Sequence, residues 1–313
     1  MIVVKIFQGP GNQMFQAAFG LAAARRLNTE LKFDVSWYKD YSHHRQYILD
    51  RFNIDAGIAT DQEIRDIITL NAPNIIAYKW NQLNRLHLRP YYQRPQILEP
   101  IDKFDINYTR IMDGTYVEGY FSSRDFFADH LNYVRQQLQF KTQPTGANKQ
   151  LIEGIQSENA VAISFRLGDF LATPWQNICS LEYYQRCLDY LGERYSNLHL
   201  YVFSDDINWV RKNFKTKYPM NFMDFNAPDY MEDFRLLTHF KFHIIPNSTF
   251  SWWGALLADD NGKIVLCPQY WLHPDKTLYK DYFGGKAVDF SHVLPDEWIK
   301  IPNIVPGDKP IMK

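Results

Sequence analysis

The chain has 313 residues, of which 46% are hydrophobic and 22% charged, and its formal net charge is −1. That is the composition of a folded protein long enough for two domains of ordinary size, and the near-neutral charge gives no reason to expect nucleic acid or an anionic membrane as a bulk partner. Three cysteines, Cys179, Cys187 and Cys267, are odd in number and lack CxxC or CxxH spacing, which argues against a disulfide framework or a zinc site and fits a reducing compartment.

In chain order, residues 2–7 read as a buried strand, not a signal peptide, because the apolar run is short and Lys5 interrupts it. No stretch approaches the length of a bilayer span. A cytoplasmic location is expected, with a peripheral position at the inner membrane face left open. After Gln8-Gly9-Pro10-Gly11 a helical pattern runs over 13–27, followed by a strand at 31–34, so the chain opens with a βαβ unit. Signals weaken from 37 to 108: helical over 61–70, then an aromatic and basic stretch over 78–94 without clear period. Residues 116–121 read as a strand. Residues 125–140 read as one amphipathic helix, with Phe126, Phe127, Leu131, Val134 and Leu138 toward one side.

Residues 141–150 have linker composition and mark the expected boundary between domains 1–150 and 151–301. A second α/β pattern follows, with strands at 160–165, 198–203, 242–245 and 263–267. Helices are expected at 180–195, 206–214, 230–241 and 248–258. Three prolines in 302–313 predict a flexible tail. The alternation predicts a mostly parallel sheet wrapped by helices, where ligands bind beyond the carboxyl ends of the strands. Four such ends carry polar chemistry: 9–13, 164–169, 204–206 and 247–251.

The first of these is neither a GxGxxG nor a Walker loop, and Asn12 there could simply cap a helix. Arg166 follows an apolar strand and precedes Gly168. It requires a partner, either Asp169 three residues on or a diphosphate gripped bidentately. Of Asp205 and Asp206, one is explained as a helix cap. The other could accept from a ribose hydroxyl or a guanine N–H, or favour the helix dipole. Asn247-Ser248-Thr249-Phe250-Ser251 offers three hydroxyls at a helix start, where caps and phosphate oxygens are both at home. His239 and His243 straddle a helix-to-strand break and His43–His44 lacks an acidic companion, so no metal site is read. An arginine and a helix start holding a nucleoside diphosphate without a metal suggest a nucleotide-sugar transferase. An aromatic content of 16% permits a carbohydrate ligand.

Taken together, these motifs resemble the family 11 glycosyltransferases, the α-1,2-fucosyltransferases. The family opens Gly-Gly-Leu-Gly-Asn-Gln-Met-Phe-Gln, and here Gln8 to Gln16 read Gln-Gly-Pro-Gly-Asn-Gln-Met-Phe-Gln. Its His-x-Arg-Arg-Gly-Asp-Tyr is matched by Ser164-Phe165-Arg166-Leu167-Gly168-Asp169-Phe170, its Phe-Ser-Asp-Asp by residues 203–206, and its Asn-Ser-Thr-Phe-Ser-Trp-Trp-Gly-Ala without change by 247–255. Residues 116–121 and 268–271 also look like family segments. Ser164, Leu167 and Pro10 are departures.

The resemblance implies a GT-B-like α/β architecture, two Rossmann-like domains facing across a cleft, with GDP-fucose mainly on the second and the acceptor mainly on the first. It implies metal-independent, inverting transfer of L-fucose from GDP-β-L-fucose to O2 of a galactose-type acceptor in surface glycan synthesis, with no cofactor. By motif position, Arg166 would grip the diphosphate with Ser248 and Thr249, Asn12 would lie at the reaction centre, and Asp205 would contact the donor. Gln13, Ser164, Glu118 and Asp169 are possible supporting or acceptor-side residues. No general base is assigned: Asp169 is the nearest acid and Glu118 a distant candidate. A different GDP-sugar or acceptor, or a non-catalytic carbohydrate- or nucleotide-binding relative, stands as the alternative. The oligomeric state is open.

Overall fold

The computed structural model describes residues 1–39, 45–69, 89–100, 104–227, 229–279, 281–282 and 288–312. The chain divides into two compact units, Met1–Thr142 and Gln143–Lys313. His43, His44 and most of the 78–94 stretch lie outside the described residues.

The first unit is built on five strands: β1 (Ile2–Lys5), β2 (Leu31–Asp34), β3 (Gly57–Ile58), β4 (Gln96–Leu98) and β5 (Thr115–Glu118). They are all parallel, in the order β3-β2-β1-β5-β4. Helix α1 (Pro10–Leu27) returns from β1 to β2. Pro10 occupies its first turn, where a missing N–H costs nothing, and Asn28 ends it with φ 49° in the left-handed conformation. Residues on every side of α1 are buried, as its almost uniformly apolar sequence requires. Helices α2 (Asp61–Thr69) and α3 (Leu131–Gln137) also belong to the unit among the described residues.

The single helix expected over 125–140 is not one helix. Two 3₁₀ turns, Arg124–Phe126 and Ala128–His130, precede α3. Phe126 and Phe127 are both fully buried, and Phe127, at φ −135° and ψ 14°, leaves the helical conformation between the two turns. The Arg26 guanidinium also draws the Phe126 carbonyl out of any helical ladder, at 2.6 Å.

The second unit carries six parallel strands: β6 (Asn159–Phe165), β7 (Leu198–Ser204), β8 (Met220–Phe222), β9 (Phe242–Ile244), β10 (Ile264–Pro268) and β11 (Ile299–Ile301). Their order is β8-β7-β6-β9-β10-β11. Counted within the unit this is 3-2-1-4-5-6, the doubly wound order, and it reverses direction between β6 and β9. Helices α4 (Gly146–Ile155), α5 (Leu181–Gly192), α6 (Ile207–Asn213), α7 (Tyr230–Leu237) and α8 (Thr249–Leu257) cover its faces. β6 shows the two-sided burial of a central strand. Val161, Ile163 and Phe165 pack with Tyr183, Tyr184 and Leu188 of α5, and Ala160 and Ala162 pack with Ile152, Leu236 and Leu237 of α4 and α7.

Two stretches read as irregular are ordered. The linker-like 141–150 holds the start of α4, whose inward Ile152 and Ile155 lie past the polar residues that suggested a linker. The tail expected to be flexible from 302 is pinned. Asn303 donates to the Ile178 and Tyr270 carbonyls at 3.2 and 3.1 Å, Asp308 pairs with Arg186 at 2.6 Å, and Ile311 is buried in the core under α5. Prolines remove donors but leave side chains free to anchor a segment.

Candidate functional site

At the carboxyl end of β6 the chain leaves the sheet at Phe165 and Arg166 follows. Its Nη2 donates to Asp169 Oδ1 at 2.6 Å, and its Nη1 lies 2.9 Å from Asp205 Oδ2. The Phe170 ring lies under the guanidinium at 5.3 Å. The internal Arg166–Asp169 bridge weighed from the sequence is therefore formed, and a second acid shares it. Asp205 stands at the carboxyl end of the neighbouring β7. Besides Arg166 it accepts from the Leu167 N–H at 2.8 Å and the Gly168 N–H at 3.0 Å. These bonds join residues 37 and 38 apart in sequence, and no local signal announces them. Gly168 is required by the same contact, since a Cβ there would lie 2.7 Å from Asp205 Oδ2.

The two acids differ in exposure. The Asp169 side chain is 56% exposed and that of Asp205 25%. An exposed pair contributes about 0–1 kcal/mol, so an incoming anion can displace Asp169 at little cost. Asp205 is tied to the backbone and holds its place. Leu167, where the family motif has its second arginine, is fully buried among the apolar residues facing α5.

β9 lies beside β6, and its carboxyl end leads through Pro246 and Asn247 into α8. Asn247 is buried and structural: its Nδ2 donates to the Gln176 and Trp271 carbonyls, each at 3.0 Å. Ser248 occupies the N-cap position, yet its side chain makes no capping bond. The helical ladder begins with the Trp252 N–H donating to the Ser248 carbonyl at 2.9 Å. An uncapped start leaves N–H dipoles pointing outward, the arrangement that favours an anion. Trp252 and Trp253 are fully buried core. Ser164 lies one residue before the end of β6, on the strand face it shares with Ala160 and Ala162. It is 4% exposed, and its Oγ has no hydrogen-bond partner. Phe250 of α8 packs against that same face. Thus Arg166, Ser164 and the start of α8 occupy adjacent strand ends at the point where the sheet order reverses.

Of the remaining sequence candidates, Asp206 is the cap of α6, accepting from the Trp209 N–H at 3.0 Å. Asn12, Gln13 and Glu118 belong to the first unit. Asn12 lies in the first turn of α1, half-buried, and its side chain makes no hydrogen bond among the described residues. Gln13 is fully buried, bonding the Gln8 and Gln46 carbonyls and the Ile48 N–H, which fixes the loop after β1. Glu118 ends β5 and pairs with Lys5 at 3.0 Å. All three cysteines are buried, and burial pushes the thiols of Cys179 and Cys267 up to about 12. Among the described residues no group of three or more His, Cys, Asp or Glu is placed to hold a metal, and no helix is long and apolar enough to cross a membrane.

A doubly wound sheet with a cation and an uncapped helix start at its switch point is an α/β scaffold of the kind that binds nucleotides. Residues 75–282 match the family described as Glycosyl transferase family 11, about two thirds of the sequence. The chain belongs to that family and is a glycosyltransferase. It is 30% identical to an alpha-1,2-colitosyltransferase of Escherichia coli, over 96% of this chain and 99% of the relative. It is 29% identical to the mouse galactoside alpha-(1,2)-fucosyltransferase 2, over 48% of this chain and 43% of the relative. Among solved structures, fucosyltransferase NodZ from Bradyrhizobium aligns with a TM-score of 0.45 at 12% identity, covering 82% of this chain and 92% of that one.

Proposed function

We propose that this glycosyltransferase transfers L-fucose from GDP-β-L-fucose to O2 of a galactose-type acceptor in surface glycan synthesis, with inversion and without a metal. The observation that carries the donor half is the convergence of Arg166 and the uncapped start of α8 on neighbouring strand ends at the switch point of the second unit. In the transfer, the bond from the sugar C1 to the diphosphate oxygen breaks and its electron pair goes to the leaving GDP. A guanidinium and aligned N–H groups stabilise that charge as it develops. The diphosphate takes the Arg166 face now held by Asp169, while Asp205 keeps the loop in register. In this reading Asp205 is a positioning residue and not a donor contact. Ser248, Thr249 and the unpartnered Ser164 Oγ supply the remaining polar contacts. The acceptor is assigned to the first unit, with Asn12 near the reacting sugar.

A second reading keeps the GDP site and changes the sugar. It is favoured by Ser164 and Leu167, which replace two polar family residues, and by the full-length similarity to a colitosyltransferase. Colitose is L-fucose lacking one ring hydroxyl, so both readings share a leaving group and a stereochemistry. Titration calorimetry with GDP, GDP-fucose and GDP-colitose, with and without a chelator, tests the donor site. Binding of GDP that ignores the chelator is expected, with the preferred donor showing the tighter dissociation constant. Failure of GDP to bind would overturn the assignment.

A further inference from the structure

The first unit has a second worked site at the carboxyl end of its sheet. Glu99 follows β4 and is half-buried. Its Oε2 accepts from two consecutive backbone N–H groups beyond β5, Tyr120 at 2.7 Å and Phe121 at 2.6 Å. Its Oε1 takes no hydrogen bond among the described residues. The seat is built for a carboxylate: a Cβ on Gly119 would come within 2.5 Å of the Glu99 Cβ and 2.7 Å of Oε2.

The backbone at this edge is strained. Phe121, bulky and fully buried, holds φ at 48°, and Gln8, past the end of neighbouring β1, holds φ at 70°. Such left-handed conformations cost of order 1–3 kcal/mol for side-chain-bearing residues and persist where the surroundings enforce them, often at functional sites. Here the enforcement is visible. Glu99 holds the Phe121 N–H and Phe19 stacks on its ring at 3.8 Å, while Gln13 and the Tyr38 hydroxyl hold the Gln8 carbonyl. The two strained residues lie three positions past the ends of β1 and β5, on the edge where Asn12 sits in the first turn of α1.

We propose that Glu99 is the general base of the transfer, its Oε1 taking the proton from the acceptor hydroxyl. This rests on the reading that the first unit holds the acceptor. As the acceptor oxygen forms its bond to the sugar C1, the C1–O bond to GDP breaks with its electron pair, and the hydroxyl proton passes to Glu99. The environment suits that task. Burial raises the carboxyl to about 7 against the pull of the two N–H groups, which places it where a base works best near neutral pH. The charged groups on the adjoining strands, Lys5 of β1 and Glu118 of β5, are paired with each other.

The test is the pH dependence of transfer to lactose, using whichever of GDP-fucose and GDP-colitose the wild type accepts. The expected wild-type profile has an acidic limb of unit slope that levels above about 7. Glu99→Gln, which keeps an acceptor for the two N–H groups, is expected to lower kcat by on the order of 10²–10⁴ and to abolish the limb. GDP affinity and melting temperature should stay within error, while the lost kcat and the lost limb are changes that a merely structural role, preserved by glutamine, would not produce. A Glu99→Gln enzyme with wild-type rate and limb would overturn the assignment and leave the transferase reading intact. Should that variant misfold, a wild-type profile without a limb near 7 overturns it equally. A wild type that transfers neither sugar would take down the acceptor reading and this inference together.

Discussion

Two backbone N–H groups and one guanidinium converge on Asp205, and that convergence decides how Arg166 is presented. An arginine at a strand end loses rotamer entropy when a ligand immobilises it. Fixing the guanidinium beforehand removes part of that cost from the binding step. In the proposed function Asp169, on the exposed side, is the replaceable partner that gives way to phosphate. Arg166→Ala should therefore cut turnover by roughly a hundredfold or more, as loss of a charge-stabilising group does, while leaving the fold intact. Steady-state kinetics with a saturating acceptor checks this, and an unchanged kcat would remove Arg166 from the diphosphate site. Lysine should restore only part of the rate, because a point charge cannot reproduce the planar fork.

At the scale of elements, α8 is aimed by its packing on α7. Gly254 faces Leu237, and a Cβ there would stand 2.7 Å from the Leu237 Cβ, an atom that moves only with its backbone. Replacement by alanine gains about 1 kcal/mol in helix propensity and loses about 1–3 kcal/mol to overpacking. Loss should win: Gly254→Ala is predicted to lower the melting temperature by several degrees and to weaken GDP binding, because the start of α8 shifts with its body. A melting scan showing equal or greater stability would contradict this packing account. The long strands β6 and β7 are legible in the sequence because their apolar runs are continuous. Helices α5, α6 and α7 announce themselves through Ser180, Asp206 and Asp229, each of which caps the helix that follows. Strands β3, β4, β8 and β11 are two or three residues long and largely half-buried or exposed, too short for any period to register. The same reason hides Glu99, which follows such a strand outside every motif. In the site, the Arg166–Asp169 pair is visible because it is local. The Asp205 bonds are invisible because they depend on β6 and β7 lying side by side.

On the scale of the whole molecule, two parallel α/β units share the same logic: polar chemistry gathers at the carboxyl ends of central strands, and buried side chains fix the loops that carry it. In the second unit that chemistry is cationic and rich in N–H donors, as a leaving diphosphate requires. In the first it is a seated carboxylate and Asn12, whose side chain makes no hydrogen bond among the described residues, as a sugar hydroxyl giving up a proton requires. In the proposed function these two chemistries serve the donor and the acceptor of one transfer. The most direct measurement of that claim is to incubate the purified protein with GDP-fucose or GDP-colitose and a β-galactoside, with a chelator present, and to determine the product linkage by NMR. The account predicts a single α-linked sugar on O2 of galactose and release of one GDP per transfer. A product linked elsewhere, a β linkage, or no product while GDP still binds would contradict it.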